Sequence, residues 1–121
     1  ALIPEYRKSN MERFFIYGSL QPGGPNEYVL AGVPGHWQPA VVKGRLVNAG
    51  WGASLGYPGL VSDECGQEVH GQILTSTELG RKWAELDQLE GDEYVRTKLS
   101  AFLRNGEKVF AYAYVLKEDG L

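Results

Sequence analysis

The chain has 121 residues, sixteen of them glycine, six proline and seven tyrosine, a length that suits one domain with one core and a composition that favours strands and turns. Its net charge of −3 is unevenly spread, with five basic and three acidic residues in 1–60 and seven basic and twelve acidic in 61–121, so no basic face stands ready for nucleic acid. No apolar run approaches the ~18 residues of a membrane-spanning helix, the opening ALIPEYRKSN lacks the apolar centre of a secretion signal, and the lone cysteine, Cys65, permits no internal disulfide. A reducing cytoplasm is the expected compartment, and neither nucleic acid nor a membrane is an expected partner.

Met11 precedes the first strand-like run, so residues 1–11 read as an N-terminal extension or loose arm and 12–121 as a single domain. Glu12 to Tyr17 (ERFFIY) is a short apolar run rich in aromatic residues, which predicts a buried first strand. It stops at Gly18. The following GSLQPGGPNEYVLAGVPG holds too much glycine and proline for regular structure, and a loop of that length in a small domain is usually functional or mobile. At its start, Gly18, Ser19 and Leu20 sit where a strand end turns, and successive backbone N–H groups there can form an anion-holding concavity. A plain β-turn fits the same letters.

Val41 to Val47 alternates as a strand, with Gly44 marking a bulge or tight bend. Residues 50–60 are turn-rich and end in Tyr57-Pro58-Gly59-Leu60, and Val69 to Thr75 is another strand. A helix is predicted to open at Thr75, with Glu78 three residues on to complete a capping box. Its apolar stripe is Leu79, Trp83 and Leu86. At about 100° per residue Glu90 falls within about 20° of both Leu79 and Trp83, so a carboxylate ends a core-facing stripe. Asp87 points away from that stripe. Gly91 supplies the residue that a helix C′ position favours. Strands Tyr94–Leu103 and Val109–Leu116 follow, flanking an Asn105-Gly106 hairpin signal. Five or six strands with one real helix predict an α+β fold: a small mixed or antiparallel β-barrel of about six strands with one main helix packed across it.

Glu90 is the candidate catalytic residue. Glu85, Asp87, Asp92 and Glu93 surround it with no basic residue among them, and both burial and like charge disfavour its ionised form, the arrangement that makes a glutamate an acid/base near neutral pH. An acidic run on a solvated face, or a glutamate that merely ends a helix, would read the same way.

Two other patterns lack their context. Gly52-Ala53-Ser54-Leu55-Gly56 matches G-x-S-x-G, with Asp63 and His70 following in hydrolase order, but a nucleophile elbow needs a helix after the serine and here a turn follows. His36, Cys65 and His70 lack the paired spacing of a zinc site, so no metal is expected. No phosphate-binding glycine motif calls for a nucleotide.

The first strand ending in Tyr17-Gly18-Ser19-Leu20 resembles the Y-G-[ST]-L signature of the gamma-glutamylcyclotransferase-like family, and Leu86-Asp87-Gln88-Leu89-Glu90-Gly91 with Tyr94-Val95-Arg96 resembles its L-D-x-L-E-G…Y-x-R signature. Val42-Lys43-Gly44-Arg45-Leu46, Tyr57-Pro58-Gly59-Leu60 and Val69-His70-Gly71 match between them in order and approximate spacing. The resemblance implies a cofactor-independent enzyme of the acyltransferase or lyase class that releases 5-oxoproline and a free amine from a small gamma-glutamyl compound. It implies Glu90 as acid/base and Tyr17, Gly18, Ser19 and Leu20 as the substrate-binding loop. A monomer or weak homodimer is expected, and a non-catalytic small-molecule-binding module on the same barrel is the alternative.

Overall fold

A computed structural model describes residues 11–18, 23–24, 27–47 and 59–117. The described residues form six strands: β1 (Glu12–Ile16), β2 (His36–Val47), β3 (Gly59–Ser62), β4 (Gln67–Ser76), β5 (Tyr94–Leu103) and β6 (Lys108–Leu116). One α-helix, α1 (Trp83–Glu90), follows a 3-10 turn at Leu79–Arg81, and a second 3-10 turn spans Glu27–Val29.

β1 pairs with β4, β4 with β2, β2 with β5, β5 with β6, and β6 with β1 in parallel, which closes a five-stranded barrel. β3 is the extra strand, wedged between the end of β2 (Gly44↔Ser62 to Val47↔Gly59) and β6 (Leu60↔Val115). The fold is thus α+β, a mixed barrel with one helix.

β1 is apolar at consecutive positions because both its faces are covered. Phe15 points into the lumen with Ala40, Val42, Leu60, Val69, Ile73, Ala101, Ala111 and Ala113. Phe14 and Ile16 point outward, into a second core with Leu74, Tyr114, Leu116 and the stripe Leu79, Trp83 and Leu86. The alternation Val109, Ala111, Ala113, Val115 along β6 keeps its lumen face small, which leaves room for the Phe15 ring.

The helix begins later than its cap letters predict. Thr75 and Ser76 remain in β4, paired with Arg13 and Glu12. The Ser76 hydroxyl accepts the nearby Glu78 N–H at 3.0 Å and donates to the distant Pro34 carbonyl at 2.5 Å. It turns the chain out of the strand instead of capping a helix. β2 is also longer than predicted, since Pro39 lies just outside the stretch that β5 pairs, Ala40 to Val42. The register with β4 reaches its last pair, Gly44↔Gln67, without a bulge. Glycine is needed there for close approach, because a β-carbon would stand 2.7 Å from both the Leu60 side chain and the Val61 carbonyl.

The β5–β6 hairpin turns through Leu103–Gly106, with the Gly106 N–H donating to the Leu103 carbonyl at 2.9 Å and Gly106 at φ +89°. Asn105 contributes by side chain, accepting the Glu107 N–H at 2.9 Å. No helix among the described residues is long and apolar enough to cross a membrane.

Candidate functional site

The two stretches singled out by sequence, the end of β1 and the end of α1, meet across β6. One edge of β6 is paired by β5 throughout; the other is taken first by β1 (Phe14↔Tyr112) and then by β3 (Leu60↔Val115). Between those rungs β1 leaves the sheet. The Tyr17 hydroxyl fills the gap, donating to the Tyr114 carbonyl at 2.6 Å and accepting the Leu60 N–H at 3.1 Å. Tyr17 thereby fixes the direction in which the chain departs into Gly18. Among the described residues nothing lies within 4 Å of where a Gly18 β-carbon would stand. Ser19 and Leu20 fall outside the described residues, as do residues 1–10, the G-x-S-x-G run at 52–56, and Tyr57 and Pro58.

The helix is anchored from the opposite side. The Trp83 indole N–H donates to a Glu12 carboxylate oxygen at 3.1 Å, and its ring meets Phe14 and Tyr112 edge-on, each at 5.4 Å. Leu79 and Leu86 are fully buried and Trp83 is 8% exposed, so the predicted stripe faces the barrel. Gly91 ends the helix at φ +81°, its N–H donating to the Asp87 carbonyl at 3.0 Å. The helical phase leaves Glu90 half-buried in the last turn.

The charge of Glu90 is felt at two phenols. Burial pushes the Tyr17 hydroxyl far above the ordinary tyrosine range; the Leu60 N–H opposes this and the Glu90 charge adds to it. Burial likewise raises Tyr114, helped by its hydrogen bond to Asp87 and by the charges of Asp87 and Glu90, against an opposing effect from Arg96.

The acidic run differs from its sequence reading in one respect. Its charge is partly offset by residues from outside: Lys82 Nζ lies 2.6 Å from Glu85, and Arg96 Nη2 lies 3.7 Å from Asp87. Asp92 and Glu93 are exposed. Asp87 accepts the Tyr114 hydroxyl at 2.5 Å, a partner that phase alone does not reveal. Arg96 also stacks over Trp83, 4.6 Å from the ring centre. A cleft of about 370 Å³ beside the helix end is lined by Asp87, Tyr94, Arg96, Tyr114 and Lys117 among others. The sequence assigns no role to Tyr114 or to Arg96 of the Y-x-R signature, although Ala111-Tyr112-Ala113-Tyr114 places two tyrosines on one face of β6.

The other candidates stay apart. Asp63 pairs with Arg45 at 3.5 Å and accepts the Cys65 N–H at 2.9 Å, in a turn. His70 is exposed on β4 opposite Val41. Among the described residues no group of three or more His, Cys, Asp or Glu side chains is arranged to hold a metal.

No curated protein is significantly similar to this chain. Among solved structures it is similar to an Arabidopsis thaliana protein studied in solution, at 30% identity and TM-score 0.65, over 93% of this chain and 75% of that one. A mouse AIG2-like protein matches at 22% identity and TM-score 0.68, over 91% and 82%. Bacillus subtilis YkqA matches at 23% identity and TM-score 0.68, over 88% of this chain but 36% of its own length. The family model described as "Gamma-glutamyl cyclotransferase, AIG2-like" matches residues 14–121, a span that includes both ends of the site described above, and the chain belongs to that family.

Proposed function

We propose that this chain is a gamma-glutamyl cyclotransferase-type enzyme, releasing 5-oxoproline and a free amine from a gamma-glutamyl amide or amine without a cofactor. The observation that supports it best is that Glu90, half-buried in the last turn of α1, stands on a helix end tied through Asp87 to Tyr114, the residue of β6 to which Tyr17 also bonds where β1 departs. In this reaction the substrate's α-amine nitrogen attacks its own γ-carbonyl carbon, a C–N bond closes the five-membered lactam, and the bond from that carbon to the departing nitrogen breaks. Glu90 takes a proton from the α-ammonium and returns one to the departing nitrogen. The backbone N–H groups of the Tyr17 to Leu20 loop meet the α-carboxylate or the oxygen on which charge develops. A substrate held curled in a near-attack shape needs little more, because both reacting groups belong to one molecule.

The test is a screen of gamma-glutamyl peptides and amines for 5-oxoproline release, with Glu90→Gln beside the wild type. Glutamine preserves size and hydrogen bonding but cannot exchange a proton, so the variant keeps its fold and loses on the order of 10²–10⁴-fold in rate. Full activity in Glu90→Gln would refute the assignment. Silence of the wild type across the panel would favour a non-catalytic binding module on the same barrel.

A further inference from the structure

We propose that Asp87 and Tyr114 are positioning residues that fix the last turn of α1, and Glu90 with it, relative to the end of β1, an inference that rests on the functional reading above. Glu90 stands in the last turn of a helix of only eight residues, and such a turn frays unless something beyond its own hydrogen bonds restrains it. Asp87, one turn earlier, adds that restraint through its side chain. Its carbonyl accepts the Gly91 N–H at 3.0 Å and closes the turn that contains Glu90, while its carboxylate accepts the Tyr114 hydroxyl at 2.5 Å.

Tyr114 is held at both ends. Its side chain reaches α1, and its main-chain carbonyl accepts the Tyr17 hydroxyl at 2.6 Å, which in turn accepts the Leu60 N–H. One residue of β6 therefore links the helix that bears Glu90 to the strand end that leads into the proposed substrate loop. Arg96 steadies the arrangement from β5, with Nη2 3.7 Å from Asp87 and its guanidinium plane over Trp83. The distance between acid/base and loop is set by side-chain bonds across β6, because no ladder joins a helix end to a strand end. A displacement of about 1 Å in such a geometry costs on the order of 10²-fold in rate.

The experiment compares the full chain with Tyr114→Phe, Asp87→Ala, their combination, and Asp87→Asn, whose amide oxygen still accepts the Tyr114 hydroxyl. Two readouts are taken: kcat and KM for 5-oxoproline release, and amide hydrogen exchange along residues 86–91 and along β2 and β4. The expected result is a kcat loss of about 10- to 100-fold in Tyr114→Phe and Asp87→Ala with KM little changed. The double variant should be no worse than the poorer single one, and Asp87→Asn should recover most of the loss. Exchange should quicken about tenfold at Leu89 to Gly91 while β2 and β4 stay protected. Wild-type kcat in both single variants would overturn the proposal, as would exchange that quickens evenly across the barrel. A wild type that releases no 5-oxoproline defeats the functional reading alone; the exchange pattern still decides the positioning, and unchanged protection at Gly91 in Tyr114→Phe refutes it.

Discussion

Removing the Tyr17 hydroxyl should cost far more than its single oxygen suggests. Tyr17→Phe leaves the ring in place but strands two main-chain groups, the Tyr114 carbonyl at 2.6 Å and the Leu60 N–H at 3.1 Å. They lie at the break between the β1 and β3 rungs of β6, so no neighbouring strand can replace the hydroxyl. Each buried group left without a partner costs about 1–3 kcal/mol. Tyr17 is half-buried, so water can recover part of that, and the saving from burying a phenyl instead of a phenol offsets a little more. A net loss of about 2 kcal/mol follows, or about 8 °C in Tm for a domain of this size. Urea unfolding with the midpoint and slope fitted separately is the assay: the midpoint should fall at constant slope. A loss under about 0.5 kcal/mol, the scale of an ordinary surface substitution, would refute the claim that Tyr17 bridges the gap.

Gly71→Ala should destabilise the barrel by about 1–3 kcal/mol in the same assay, because its β-carbon would be driven against the Ile16 carbonyl and to 2.8 Å from the Phe15 ring; unchanged stability would mean that β1 can yield. High pH should also weaken the fold. Tyr17 and Tyr114 are both raised above the ordinary value of 10.0, so above it the unfolded chain has lost protons that the folded chain keeps. Their contribution is complete below pH 10 and lost as pH rises beyond it, by at most about 1.4 kcal/mol per pH unit for each tyrosine; urea midpoints across that range should fall less steeply in Tyr17→Phe than in the wild type.

The fold was legible where patterning is local. β5 runs Tyr94–Leu103 as its strand-like composition predicts, and Gly91 ends the helix at the expected glycine stop. β3 is not legible because four residues, Gly59 to Ser62, are too few to show a period. The helix start was misplaced because Thr75 and Ser76 carry cap chemistry, yet the ladder with β1 retains them. A cap letter states what a side chain can bond, not whether the backbone has left a strand. At the site, the phase of Glu90 follows from the stripe, whereas the bonds around it join residues 97 apart (Tyr17 and Tyr114) and 27 apart (Asp87 and Tyr114). Periodicity contains no term for contacts at that separation.

The barrel's own core explains why these residues gather at its outer surface. Phe15, Leu60 and Ile73 are fully buried within the lumen, and the alanines of β5 and β6 exist to admit them. A lumen packed with side chains is a core, not a chamber. The proposed acid/base chemistry of Glu90 belongs to the margin where the strands diverge and the helix crosses them. At that margin backbone groups lose their ladder partners, and they must be satisfied by side chains instead. Tyr17 and Tyr114 meet that need with hydroxyls that also tie loop, strand and helix together. The break in pairing that a small barrel tolerates where β3 wedges in is therefore also where the helix, through Asp87 and Tyr114, is tied to the end of β1.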